Sequence, residues 1–69
     1  MFTFRLIPTY CDRDRQNLEF HHDRATKHPA KFKTYDLAEN EAIEVARNRN
    51  RAISRRNPNK GVAFQVIPA

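Results

Sequence analysis

Phe2, Phe4 and Leu6 alternate with Thr3, Arg5 and Ile7 at the start of the chain. This period of two sets the phenylalanines on one face of a β-strand, which Pro8 is expected to end. Thr9 to Asn17 is mostly polar, with Asp12, Arg13, Asp14 and Arg15 alternating in sign. Such a stretch suits an exposed hairpin loop and a contact surface. Alternation returns at Leu18, Phe20 and His22, predicting a second strand that faces the same core. Residues 23–30 read as a connector with Pro29 near its end. Phe32 between Lys31 and Lys33, followed by Thr34 and Tyr35, then predicts a short third strand with Lys31, Lys33 and Tyr35 on its outer face.

From Asp36 the period changes. Ala38, Ala42, Val45, Ala46, Ala52 and Ile53 share one face at the helical repeat, with Glu39, Asn40, Glu44, Arg47, Asn48, Asn50, Arg51 and Ser54 mostly opposite. Asp36 is the expected N-cap, and Glu39 stands three residues on in an Asp version of the capping box. The packing face is alanine-rich, so the phenylalanines of the sheet are expected to fill the gap beneath it. Arg49 interrupts the apolar line; the expectation is that it snorkels at the helix edge or that the last turns project into solvent. Asn57 and Pro58 stop the helix, and Pro58-Asn59-Lys60-Gly61 is turn chemistry with Gly61 suited to a positive φ. Val62, Phe64 and Val66 alternate with Ala63, Gln65 and Ile67 as a final strand, its larger residues toward the helix. The order is β-β-(β)-α-β: an α+β fold, with a mostly antiparallel sheet of three to four strands and one helix packed on one face.

Composition narrows this picture. Sixty-nine residues make one domain, 1–69, near the lower size at which a single core is self-sufficient, and 39% hydrophobic residues leave little core for an internal cleft. Function is therefore expected on the outer surface. The lone Cys11 excludes an intramolecular disulfide and favours a cytoplasmic setting, and no apolar run reaches the length of a membrane span or signal-peptide core. A soluble chain, complete as written, is expected. The net charge of +5 is unevenly spread. Residues 1–44 hold seven bases and eight acids, whereas residues 45–69 hold six bases (Arg47, Arg49, Arg51, Arg55, Arg56 and Lys60) and no acid. A basic cluster in one element is an electrostatic footprint for phosphates or an acidic protein surface. Part of the ordering is also what the helix macrodipole favours, acids first and bases last.

Catalytic signals are poor. One glycine cannot make a phosphate-cradling loop, and no nucleophile elbow, His-Glu-x-x-His or paired-cysteine motif occurs. Cys11, His21, His22 and His28 match no zinc spacing, and adjacent strand residues His21 and His22 point to opposite faces, so no metal and no cofactor are expected. His21 or His28 beside basic residues admits, as a third reading, the acid/base pair of a small RNase toxin. The basic stretch carries more. Arg47, Arg51 and Arg55 lie four apart as a ladder on one helix edge, with Arg56 and Lys60 continuing past it, at phosphate-contact spacing. Arg5, His21, Lys31, Lys33 and Tyr35 offer a second surface on the outer sheet face.

The run KFKTYDLAENEAIEVA, after two earlier strands, resembles the three-strand-plus-helix layout of AP2-type and integrase arm-binding DNA domains. That resemblance implies a sheet face set in the major groove, with Arg5, Lys31 and Lys33 reading duplex DNA. In size and β-β-α-β order the whole chain is also similar to small phage proteins that disable host machinery, among them inhibitors of host RNA polymerase and anti-CRISPR proteins. This second resemblance implies a non-enzymatic inhibitor that binds a host protein or ribonucleoprotein complex handling nucleic acid. It is the leading expectation, with direct duplex-DNA binding as the alternative.

Overall fold

The structure, a computed structural model, describes residues 1–12 and 17–69. Among these residues four strands and one α-helix follow in the order β1 (Phe2–Cys11), β2 (Leu18–Phe20), β3 (Thr26–Lys27), α1 (Tyr35–Arg56) and β4 (Lys60–Pro68), with a short 3-10 turn at His22–Arg24. The sheet is antiparallel throughout, so the α+β architecture read from the pattern is the one observed. β1 is its centre: β4 pairs with it from Phe2↔Pro68 to Tyr10↔Lys60, and β2 and β3 share its other edge in succession. The expected hairpin loop at Arg13, Asp14 and Arg15 lies outside the described residues. Its flank is closed by the Asp12 N–H donating to Asn17 O at 3.1 Å.

Pro8 does not end β1, which continues to Cys11. Hydrogen bonds alternate along an antiparallel strand. The Cys11 N–H donates to Asn59 O and the Ala69 N–H to Met1 O, so the odd-numbered residues of β1 bond to β4 and the even ones face β2 and β3. Pro8 falls where β2 has finished and β3 has not begun. Its missing N–H therefore costs no ladder bond, while its carbonyl accepts from the His21 N–H at 2.8 Å.

β2 is shorter than the alternation suggested and does not face the core: Leu18 is 56% and Phe20 48% exposed. Register is the reason. Phe20 lies opposite Thr9 and Leu18 opposite Cys11, which puts both on the side of the sheet away from Phe4 and Leu6. His22 leaves the strand for the 3-10 turn. The third strand is also displaced, to Thr26–Lys27, and the segment expected to form it contributes only the single bridge Phe2↔Phe32. Between His28, which donates to Phe4 O, and Phe32, the chain carries three residues opposite Thr3 alone. Pro29 lies in that bulge, and the fully buried Thr3 ties it down, its Oγ1 sitting 2.8 Å from Ala30 O and 3.2 Å from His28 O. Lys31, Lys33 and Tyr35 consequently do not line a strand.

The helix is capped by Thr34 rather than Asp36: its Oγ1 accepts from the Leu37 N–H at 3.2 Å, and Asp36 and Glu39 sit inside the helix. Tyr35 opens α1 with its ring edge-on to Phe2 at 6.0 Å. The core is thin. Ala38, Ala42 and Ala46 let the helix approach β4 and β1 closely, over a sheet face whose centre is the fully buried Phe4. Phe4 stacks on His28 at 4.4 Å and on Phe32 at 6.3 Å, and its burial alone stabilises by about 1.5–3 kcal/mol. Ile7 is buried from the opposite face, and Ala52, placed on the packing line by periodicity, is exposed.

The helix stops at Asn57, whose N–H still donates to Ile53 O and whose side-chain Oδ1 accepts from the Asn59 N–H. Gly61 is extended strand, not a left-handed turn residue. What it supplies is room: a Cβ there would stand 2.8 Å from Asn50 Oδ1 and 3.2 Å from Thr9 Oγ1.

Candidate anion-binding surface

Because α1 begins beside Phe2 and runs antiparallel to β4, its residues pass along the sheet at about 1.5 Å each, and the alanine contact ends at Ala46. Beyond it the side chains of residues 47–56 are exposed except for Asn50 and Ile53, which are half-buried. Asn50 fixes this half. Its Oδ1 accepts from the Val62 N–H at 2.7 Å and its Nδ2 donates to Val62 O at 3.1 Å, so one carboxamide satisfies both backbone groups that Val62 turns to the outer edge of β4. Periodicity had placed Asn50 among the outward polar residues; nothing in the alternation signals a side chain reaching around a sheet edge.

The cations divide into two sets on this arm. Arg47, Arg51 and Arg55 point away from the alanine face at successive rises of about 6 Å along the helix axis. Arg47 lies 3.6 Å from the Glu44 carboxylate, both well exposed, a surface pair that contributes little. Among the described residues no other arginine of residues 47–56 has a carboxylate within 4.0 Å. Arg49 and Arg56 fall instead on the line that continues the packing face, where the sheet no longer covers it. Lys60, opposite Tyr10 at the start of β4, is at the same end of the molecule.

The remaining predicted residues are elsewhere. Arg5 stands on the sheet face away from α1, its Nε donating to Gln65 Oε1 at 2.8 Å. Lys31 and Lys33 precede the helix outside any strand, about 30 Å from its far end by helical rise, so they do not join the ladder. His21 approaches Glu19 at 3.7 Å and lines a hollow with Arg24 and Lys60, whereas His28 is half-buried and stacked on Phe4. Among the described residues no three His, Cys, Asp or Glu side chains converge as metal ligands, and no helix is long and apolar enough to cross a membrane.

Sequence reasoning missed a half-open groove of about 480 Å³ beside α1. Its floor is Leu6, Pro8, Val45 and Val62; Arg49 stands on its helix side, and on the other side it is bordered by the β3 edge, where Thr26 shares the face of Leu6 and Lys27 lies opposite Arg5. It exists because β3 has two residues and α1 lies over β4 and β1, leaving the β3 side of the sheet uncovered. The interruption at Arg49 was its only trace in the sequence. Comparison with known proteins finds no matching family model, no matching curated protein and no matching solved structure.

Proposed function

We propose that this chain is a non-catalytic binding protein that engages the phosphate backbone of a nucleic acid through the second half of α1, working in the cytoplasm. The observation that carries this reading is the acid-free arm, on which Arg47, Arg51 and Arg55 are exposed, evenly spaced and, apart from the weak Arg47 pair, free of carboxylate partners among the described residues. Lone cations on a rigid helix keep their charge available for phosphate, and each contact releases a counterion. The sheet-reading alternative has less support, because Lys31 and Lys33 lie outside the strands while Arg5 stands on β1. Inhibition of a host nucleic-acid-handling complex remains compatible with the arm, since a small protein holding phosphates can occupy the position of such a complex on its substrate.

Salt-titrated anisotropy with a labelled duplex and a single strand of equal length tests this. The native protein is expected to bind at low salt, with log affinity falling linearly against log salt. Replacing Arg47, Arg51 and Arg55 together by Ala should flatten the duplex slope by about 2–3 and leave thermal stability nearly unchanged, whereas Lys31→Ala with Lys33→Ala should leave the slope as it was. Absence of binding at low salt, or an unaltered slope in the triple variant, would sink the proposal.

A further inference from the structure

We infer that the groove beside α1 is a second, separate docking site, and that its occupant is an acidic, apolar peptide segment of a partner protein. Two observations carry this beyond the phosphate reading. The first is continuity. Arg49 borders the groove on one side and, on the other, a shallower depression of about 410 Å³ that contains Ala52 and Ile53 and is flanked by Arg55 and Arg56. Val45, Arg49, Ala52, Ile53 and Arg56 recur at helical spacing, so the two hollows form one strip about 16 Å long, enough for roughly five residues of extended chain.

The second is composition. Apolar floor and cationic margin alternate along the strip: Leu6, Pro8, Val45 and Val62 between Lys27 and Arg49, then Ala52 and Ile53 between Arg49 and Arg56. Among the described residues neither hollow is lined by an aspartate or glutamate. A ligand that matches it alternates aliphatic or aromatic side chains with carboxylates, the chemistry of an amphipathic acidic segment. Single-stranded nucleic acid fits less well, because the strip has no Phe, Tyr or Trp on which bases would stack, and the His28 ring at its wall is already stacked on Phe4. The outward ladder and this strip lie on opposite sides of the same helix, so phosphate and peptide are held independently.

The test uses the full chain and a labelled short peptide alternating Leu or Phe with Glu or Asp. Two control peptides carry Gln in place of the acids or Ser in place of the apolar residues, and an oligo-dT strand serves as nucleic-acid control. The acidic apolar peptide should bind, each control peptide should lose about tenfold or more, and NMR shifts should centre on Leu6, Val45, Arg49 and Val62. Arg49→Glu should abolish peptide binding and Lys27→Glu, at the groove's outer edge, should weaken it several-fold; both side chains are exposed, and unchanged circular dichroism confirms the fold. Arg47→Ala with Arg51→Ala should leave peptide affinity unchanged. Equal binding of the Ser-substituted peptide would reduce the site to undirected charge and overturn the inference. So would loss of peptide affinity in the Arg47/Arg51 variant, or Arg49→Glu weakening oligo-dT while sparing the peptide. Because the peptide is tested through Lys27 and Arg49 and the duplex through Arg47 and Arg51, with Arg55 alone touching both surfaces, failure here leaves the phosphate result standing, and the converse holds.

Discussion

The twelve residues of α1 from Tyr35 to Ala46 carry four carboxylates and no base, whereas the ten from Arg47 to Arg56 carry five arginines and no acid. The contrast in burial runs parallel. Ala38, Ala42 and Ala46 press the first half onto the sheet, and the second half is held by the Asn50 carboxamide and a half-buried Ile53 while its other side chains meet solvent. Alanine allows the first half to sit close to the sheet; beside the second half the two-residue β3 leaves a strip of the sheet uncovered. A continuous backbone ladder thus joins a lid to an arm. The lid supplies the stiffness that lets the arm present charge at fixed intervals without burying it.

The largest effect that separates the halves should come from equal substitutions at unequal positions. Ala42→Leu, in a site with no exposed surface, is expected to destabilise by about 1–3 kcal/mol, and Ala52→Leu, on the exposed arm, to change stability by no more than about 0.5 kcal/mol, both by denaturant unfolding. Equal costs would show that the arm is packed after all. Next comes the clamp. Asn50→Ala removes two hydrogen bonds to Val62 and should cost about 1–2 kcal/mol once water has partly replaced them, with faster amide exchange at Val62 as the specific sign. Asn50→Asp keeps the acceptor and loses the donor, so it should fall between. The smallest effect belongs to the junction: Glu44→Gln releases Arg47 from its exposed partner and should alter stability by less than about 0.5 kcal/mol while slightly raising duplex affinity at low salt. A larger loss of stability would mean that the pair is structural.

Where two periodicities were clean, the sequence was easy to read. The Phe2-Phe4-Leu6 alternation, the alanine line and the Val62-Phe64-Val66 strand all reflect one buried face on a regular element, and α1 and β4 stand where their patterns placed them. The errors arose where partners at long range decide. Leu18 and Phe20 alternate as core residues do, but pairing with Cys11 and Thr9 turned them outward. Pro8 breaks a strand by propensity, and only the gap between β2 and β3 shows why it does not break this one. Thr34 and Asp36 are both competent caps; the Phe2↔Phe32 bridge, which fixes how the chain enters the helix, precedes Thr34 closely enough to select it. Of the candidate surface, the arginine ladder was visible as a four-residue spacing. The groove was not, because its walls come from four separate elements and its cause is the shortness of β3.

The Asn50 clamp has a bearing on solubility as well as on packing. β4 is an outer strand, and such strands recruit other chains through their free amides and carbonyls. Its even-numbered residues face outward, and at Val62 the carboxamide already fills the place a foreign strand would take. Six residues along, Pro68 offers no N–H at all. Only Phe64 and Val66 remain between these two stoppers, too short a landing for a second chain to zip along. The helix that carries the protein's charge thereby also guards its sheet against polymerising.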